Sequence, residues 1–238
     1  MRCVEVAGGS IGGIIFNPIA SGRAVLSKQQ KDLGVGVLDI GFCTTTFSVY
    51  QEGRLLHTGG FAVGSGHLTN DLAIGLKTSI DAAEQVKFTF GFALAKDVPM
   101  RESVEISKFD PAARGGISRR FIAEIIEVRL AEIFEFVHSE LRSLGRAGQL
   151  PGGIVVTGGG AKLPGIVELA KQEFRLPARV GIADYSAMNL ENPEIATALE
   201  DPEFSCALGL ALLGMDRQYA EERPAFGNVR GWMRKLLN

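Results

Sequence analysis

Two glycine-ended strands decide the fold of this chain. Residues 35–46 read VGVLDIGFCTTT, and residues 153–160 read GIVVTGGG. Each begins as an apolar run rich in β-branched residues, which predicts a buried strand, and each ends in a turn that contains glycine. Strand patterns at 44–50 and 55–63 follow the first run and predict an antiparallel meander of three strands. Helical patterns separate the remaining strands, so the chain is predicted to be α/β.

Apolar steps of three and four residues predict the helices. The longest helix is predicted to begin after Ser118, because serine is a favourable N-cap residue. Its apolar stripe is Ile122, Ile126, Leu130, Ile133, Val137, Leu141 and Leu144. Other helices are predicted near residues 17–26, 66–76, 81–87, 164–174 and 203–215, short strands at 14–16, 104–106 and 178–182, and a polar loop at 183–202.

Composition excludes several classes of protein. The 238 residues are 46% hydrophobic and 22% charged, with a net charge of -2, which argues against disorder and against a nucleic-acid partner. Three scattered cysteines, Cys3, Cys43 and Cys206, predict neither a disulfide framework nor a cysteine metal site, and they fit a reducing cytosol. No apolar run reaches the length of a membrane span, and the uncharged stretch 6–22 contains too many glycines to favour a secretory signal.

The first candidate site is the turn after Asp39. An acid at a strand end, followed by Gly41 and the hydroxyls of Thr44 and Thr45, is typical of a phosphate-binding turn. An ordinary hairpin turn is an equally good interpretation of these residues alone.

Two further segments carry candidate ligand contacts. The glycines at 158–160 end a strand and allow a flat ligand to approach bare backbone, whereas a simple strand-to-helix turn needs one or two glycines. Glu84 and Lys87 are three residues apart on a predicted helix, and the alternative for them is a surface ion pair.

The order of these segments resembles the actin-like ATPase superfamily, and within it the FtsA family of bacterial cell-division proteins. The resemblance covers essentially the whole chain. It rests on residues 33–41, 56–58, 70–73, 83–87, 124–129 and 153–160. It implies an actin-like, ribonuclease H-like ATPase fold, represented by its second lobe and remnants of the first.

The resemblance also implies a domain organisation and a nucleotide site. Residues 1–34 are expected to be a remnant of the first lobe with a connecting helix, and 35–200 the second lobe with a subdomain inserted at about 80–145. A second connecting helix is expected at 201–220 and a tail at 221–238. The residues expected to bind ATP with Mg²⁺ are Asp39, Gly41, Thr44, Thr45, Glu84, Lys87, Gly158, Gly159, Gly160 and Lys162.

Two departures from the family pattern weaken the expected nucleotide site. Phe42 and Cys43 stand where the family usually has two glycines, and their side chains are expected to crowd the phosphates. The phosphate loop that supplies the first catalytic Asp in the family is absent from this sequence, which is therefore a piece of a longer protein or a reduced form. We expect weak nucleotide binding, no catalytic residue and no measurable ATPase activity.

The terminal residues form an amphipathic pattern after a proline-containing linker. Basic charge beside apolar residues favours an interfacial membrane helix over a helix docked on the protein, and the family tethers itself to the inner face of the plasma membrane by such a tail. The apolar positions are Val229, Trp232, Met233, Leu236 and Leu237, and the basic positions are Arg230, Arg234 and Lys235.

The expected partner is the C-terminal peptide of FtsZ, the tubulin-like ring protein, at the division site. The matching region here contains Arg114, Arg119, Arg120 and Arg129, which suit a short acidic peptide, although a solvated helix face is the alternative. Self-association into actin-like filaments is also implied by the resemblance.

Other functions have less support in the sequence. His57, His67 and His138 lack the spacing of metal ligands, so no metal site is predicted. The alternatives are a pilus-assembly scaffold of the same fold, of the PilM type, and a true actin-like ATPase or sugar kinase. The kinase needs an Asp-Gly-Ser/Thr loop near the start, which this sequence does not contain.

Overall fold

The structure, a computed structural model, describes residues 2–111, 113, 115–186, 188 and 193–222. The helices in this part of the chain are α1 Arg2–Val6, α2 Asn17–Val25, α3 Lys28–Leu33, α4 Ser65–Leu76, α5 Ile80–Phe90, α6 Arg119–Ser143, α7 Ile166–Phe174, α8 Pro193–Leu199 and α9 Ser205–Glu222. The strands are β1 Val35–Ile40, β2 Thr45–Gln51, β3 Arg54–Phe61, β4 Ser103–Glu105, β5 Gly116–Ser118, β6 Ile154–Thr157 and β7 Ala178–Val180.

Five strands form the main sheet in the order β3-β2-β1-β6-β7. The first three are the predicted antiparallel meander, and β6 and β7 continue the sheet parallel to β1. Parallel neighbours end at the same edge of a sheet, so the turns that follow β1 and β6 lie together. β4 and β5 form a separate antiparallel pair.

Each face of the sheet is covered by a different set of helices. Side chains alternate along a strand, so Leu38 and Ile40 belong to one core while Val35 and Val37 belong to the other. The first core is the larger and includes the apolar stripes of α4, α6 and α7. The second lies beneath α2 and α9.

Helices α2 and α9 cross at very short range. A β-carbon on Gly209 of α9 would overlap the carbonyl oxygen of Ala20 in α2, so the crossing requires glycine at that position. Leu208 and Leu212 of α9 are buried on either side of this contact. The small-residue pattern of both segments thus serves to bring two helix backbones together.

Two local predictions were wrong. Residues 14–16 have no regular secondary structure, because Ile14 is 75% exposed and no strand lies beside it to accept its backbone hydrogen bonds. The predicted loop at 183–202 contains α8, whose residues are not buried and therefore show no apolar face in the sequence. The long helix does start after Ser118, but the Ser118 side chain makes no capping hydrogen bond.

Candidate functional site

The two glycine turns lie side by side at one edge of the sheet. Asp39, near the end of β1, is the register partner of Thr157, the last residue of β6. Gly158 follows with a φ of 81°, a left-handed conformation that favours glycine. A β-carbon on Gly158 would overlap the Asp39 carboxylate, so the turns that follow β1 and β6 are direct neighbours.

A cavity of about 310 Å³ opens beside the turns. Five of the ten residues predicted to bind nucleotide line it, namely Glu84, Lys87, Gly159, Gly160 and Lys162. Most of the remaining wall is apolar and comes from the end of β1, from α4 and α5, and from the segment that leads into α7. The apolar lining residues include Ile40, Phe42, Leu68, Phe88, Leu163 and Pro164.

The ammonium group of Lys87 is buried among acceptors. The residue is 7% exposed, and its Nζ lies 2.9 and 2.7 Å from the two carboxylate oxygens of Glu84. Nζ also donates to Thr69 Oγ1 at 2.9 Å and to the Ser65 carbonyl at 3.3 Å, and the Thr69 hydroxyl donates to Glu84. The surface ion-pair interpretation is therefore wrong for Lys87, which joins α5 to α4 inside the protein.

Lys162 is held by two acids at the opposite wall. Its Nζ donates to Asp201 Oδ2 at 2.7 Å and to Glu203 Oε2 at 2.9 Å. These hydrogen bonds, with Asp201 contributing most, raise the pKa of Lys162 above its ordinary value. Sequence reasoning missed both acids, which lie 39 and 41 residues further along the chain.

Asp39 lies on the other face of the sheet from the cavity lining. Its Oδ2 accepts a 2.6 Å hydrogen bond from Ser21 Oγ of α2. Burial raises the pKa of Asp39, and the bond from Ser21 opposes that rise in part. Ser21 is fully buried and was not among the predicted site residues. The signal that could have indicated it is a polar serine within the small-residue helix α2.

The turn at residues 41–44 is bound to the start of α4. The N–H of Gly41 donates to the Thr44 carbonyl at 2.9 Å, which closes the turn. The carbonyls of Gly41 and Phe42 accept hydrogen bonds of 2.8 Å from the N–H groups of Ser65 and Gly66. Gly41, Thr44 and Thr45 thus stand near the cavity without lining it.

Phe42 and Cys43 occupy different positions in this turn. Phe42 is 60% exposed and contributes to the cavity wall, with its ring centroid 5.9 Å from Lys87 Nζ. Cys43 is exposed and is not a lining residue. Only the first of the two residues is therefore placed to alter what the cavity accepts.

Three of the four predicted partner-binding arginines lie within the described residues, and each of the three has a partner in the chain. Arg129 makes two bonds to Asp71 of α4, of 2.6 and 2.9 Å, and another to Glu132. Arg119 donates to the Phe90 carbonyl at 3.1 Å and to Glu102 at 2.7 Å. The pair between Arg120 and Glu124, at 3.9 Å, is much looser.

An open groove of about 450 Å³ runs along the outer side of α6 beside Arg129. Phe121 and Val128, which is 72% exposed, provide its apolar surface. One arginine faces three carboxylates in this groove, so its charge does not favour an acidic peptide. The lining residues are Asp71, Phe121, Glu124, Ile125, Val128, Arg129 and Glu132.

Arg114 and the predicted membrane residues at 229–237 lie outside the described residues. No helix in the described part of the chain is both long enough and apolar enough to cross a bilayer. Within the same ranges, no three His, Cys, Asp or Glu side chains come together as metal ligands.

Comparison with known families identifies the chain's relatives. The family model of "Cell division protein FtsA" matches residues 36–209, which include both glycine turns and every described cavity residue. The chain belongs to the FtsA family. It is 35% identical to FtsA of Pseudomonas aeruginosa over 217 residues, which cover 91% of this chain and 51% of that protein. It is 38% identical to FtsA of Bacillus subtilis over 206 residues, which cover 87% of this chain and 46% of that protein.

The chain thus spans about half the length of the FtsA proteins that it matches. The family match favours the FtsA resemblance over the pilus-assembly alternative. It agrees with the resemblance drawn from the ordered motifs.

Solved structures of low sequence identity confirm the actin-like fold. MreB5 of Spiroplasma citri bound to ADP superimposes with a TM-score of 0.71 at 16% identity, covering 93% of this chain and 65% of MreB5. The PilM-PilN type IV pilus biogenesis complex gives a TM-score of 0.65 at 22% identity, covering 90% of this chain and 56% of that one. The chain covers 51% of the Pseudomonas aeruginosa protein and 65% of MreB5, so the comparisons show an actin-like fold over part of such a protein.

One polar cluster near the site escaped sequence reasoning altogether. Thr157 Oγ1 lies 2.6 Å from Ser205 Oγ, and it also bonds to the carbonyls of Gly181 and Pro202, at 3.1 and 3.2 Å. This buried network ties the end of β6 to the start of α9. No local pattern marks Ser205, because its partner is 48 residues away.

Proposed function

We propose that this FtsA-family chain is an actin-like adaptor of the division ring, linking FtsZ to the inner face of the plasma membrane. The observation that carries the proposal is the match to the FtsA family over residues 36–209. The expected domain division belongs to the same proposal, with 35–200 as the second lobe, an insertion at about 80–145 and a tail at 221–238. Self-association into actin-like filaments is a further part of it.

Nucleotide binding is proposed for the cavity beside the two glycine turns. Its volume, its apolar walls and the open backbone at Gly159 suit a flat heterocycle, and the Glu84 carboxylate, which is only partly exposed, can accept hydrogen bonds from a ribose. MreB5 of Spiroplasma citri was solved with ADP and with AMPPNP. We expect ATP with Mg²⁺ to bind weakly and to be hydrolysed at no measurable rate.

The groove along α6 is the proposed site for the FtsZ C-terminal peptide. Because Arg119 and Arg129 are paired internally, apolar side chains of the peptide would bind against Phe121 and Val128. Arg120 does not itself line the groove, but its partner Glu124 does. At 3.9 Å from Glu124, Arg120 is the most loosely paired of the three predicted arginines that the structure describes, so it can bind a peptide carboxylate beside the groove.

A peptide-binding assay tests this site. We expect Arg120→Glu to weaken binding of a fluorescent FtsZ C-terminal peptide about tenfold, measured by anisotropy, because it replaces attraction with repulsion. Arg142→Glu is the matched control, an exposed arginine ten residues beyond Glu132, the last groove residue of the same helix. Equal affinities for both variants would show that the peptide does not contact Arg120 beside the groove.

Membrane attachment is proposed for the tail. Three basic residues and five apolar residues at 229–237 would bind anionic lipid reversibly. We expect the full chain to float with vesicles containing anionic lipid and a chain ending at Pro224 to remain at the bottom of the gradient. Flotation of both chains would contradict the tail's role without affecting the peptide site.

A further inference from the structure

We infer that the cavity selects the nucleoside end of its ligand, that a triphosphate adds no affinity, and that Phe42 sets this preference. The inference rests on the proposed nucleotide site and names the class of ligand that this site prefers. It follows from three properties of the described residues: the pairing of the cations, the use of the backbone donors and the position of two aromatic rings.

The cations of the cavity are neutralised within the protein. Lys87 contacts both carboxylate oxygens of Glu84, and Lys162 contacts Asp201 and Glu203. Two ammonium groups and two carboxylates, those of Glu84 and Glu203, therefore line one small cavity, and the Asp201 carboxylate adds a third negative charge beside Lys162. A phosphate chain brought to this site would approach an excess of negative charge, which weakens its binding.

Several of the backbone donors around the two turns are also occupied. The N–H groups of Ser65 and Gly66 at the start of α4 donate to the carbonyls of the 41–44 turn. The N–H of Gly41 closes that turn, and the N–H of Gly158 donates to the Pro202 carbonyl at 3.1 Å. An anion would have to displace these internal bonds before it could gain its own.

Two exposed aromatic rings flank the buried lysine. The ring centroids of Phe42 and Phe88 lie 5.9 and 5.2 Å from Lys87 Nζ, and the residues are 60% and 75% exposed. Both line the cavity together with Gly159, where a β-carbon would meet only Glu203 Oε2, at 4.0 Å. Such surfaces favour stacking of a planar base, which needs no charge.

Phe42 combines these effects at one position. It belongs to the turn that would otherwise present bare backbone to phosphate, and its ring adds apolar surface to the cavity instead. The Phe42 side chain therefore favours binding of the base and hinders binding of the phosphates.

Calorimetric titration of the full chain with adenosine, AMP, ADP and ATP, the last two with Mg²⁺, tests the preference. We expect ATP to bind no more tightly than adenosine, within about threefold. ATP binding more than about tenfold tighter would overturn the inference and leave the proposed nucleotide site intact. Absence of binding by all four ligands would overturn both.

A variant tests the role of Phe42. We expect Phe42→Gly to raise the ratio of ATP affinity to adenosine affinity by about tenfold, and Phe42→Leu to raise it less. Phe16→Gly is the matched control, since Phe16 is also exposed but does not line the cavity. A ratio that stays the same in Phe42→Gly, with unchanged thermal unfolding, would overturn the assignment to Phe42.

Discussion

Ser21 of α2 and Asp39 of β1 are joined by a 2.6 Å hydrogen bond beneath the first glycine turn. Ser21 is fully buried, and the bond is a polar link between α2 and β1, the strand that leads to the candidate site. Burial raises the pKa of Asp39, and the Ser21 hydroxyl limits that rise because it stabilises the carboxylate.

Asp39→Asn is expected to change how stability depends on pH. An acid whose pKa is raised on folding supports the folded state below its ordinary value of 3.8 and loses that support as pH rises through the folded pKa. The neutral side chain of Asp39→Asn does not titrate, so the variant lacks this pH-dependent loss of stability. Measured by urea denaturation, the unfolding free energy of Asp39→Asn should therefore increase relative to that of wild type as the pH rises from 3.8 through the folded pKa of Asp39.

The companion variant Ser21→Ala removes the bond and leaves the Asp39 carboxylate buried. We expect a loss of about 1–3 kcal/mol at neutral pH, since the charged acceptor loses its partner. Ser143→Ala, at an exposed serine near the end of α6, should change stability by less than about 0.5 kcal/mol. If the stability difference between Asp39→Asn and wild type were constant with pH, the pKa of Asp39 could not be raised in the folded protein.

Alanine substitutions at Gly209 and Gly214, both in α9, should have opposite effects on stability. A β-carbon on Gly209 would overlap the Ala20 carbonyl, whereas one on Gly214 would meet open space. We expect Gly209→Ala to cost more than about 2 kcal/mol by separating α2 from α9, and Gly214→Ala to gain about 0.5–1 kcal/mol from helix propensity. Thermal or urea unfolding of the two variants measures the contrast, and equal effects would contradict close packing at Gly209.

The elements that sequence predicted correctly are those with a strong local pattern. β1 and β6 are buried on both faces and read as continuous apolar runs, and the stripe of α6 repeats over many turns. The neighbouring positions of β1 and β6 could be predicted because the order of the motifs matched a known family. α8 has no buried residue, so nothing in its pattern distinguished it from a loop.

The electrostatic state of the site could not be predicted in the same way. Glu84 and Lys87 have the spacing of an exposed helical pair, and the burial of the lysine becomes visible only through its contacts with Ser65 and Thr69 of α4. Lys162 was expected to meet a ligand, but its two acidic partners come from the segment before α9. Spacing along the chain shows which residues can be near each other, whereas burial and charge pairing depend on distant segments.

Breaking the buried Lys87 pair should cost more than breaking an exposed pair of the same spacing. Lys87→Met leaves the Glu84 carboxylate without its cation, and we expect a loss of about 2–3 kcal/mol. The double variant Lys87→Met/Glu84→Gln should lose less, because no unpaired charge remains. Lys171→Met is the control, since its pair with Glu168 has the same spacing at 3.8 Å and both side chains are exposed.

Urea denaturation of these three variants and wild type measures the effect. We expect Lys171→Met to lie within about 0.5 kcal/mol of wild type. If Lys87→Met were equally mild, the ammonium group of Lys87 would have to be solvated, in conflict with its 7% exposure.

The bond between Arg129 and Asp71 should stabilise the contact of α6 with α4. Two bonds of 2.6 and 2.9 Å join the partly buried side chains, and the hydrogen bond that Arg129 donates to Asp71 raises the pKa of Arg129. Such paired geometry stabilises more than a single exposed ion pair. A double-mutant cycle with Arg129→Ala and Asp71→Ala should therefore give a coupling energy of about 1–2 kcal/mol.

Arg142 and Glu135, both exposed on the same helix, provide the comparison cycle. We expect their coupling to be below about 0.5 kcal/mol and to fall further with added salt, since exposed charges are screened. The Arg129 coupling should persist at high salt because its groups are less accessible to ions. Equal couplings for the two pairs would show that Arg129 is not fixed by Asp71, and the arginine would then be available to a bound peptide.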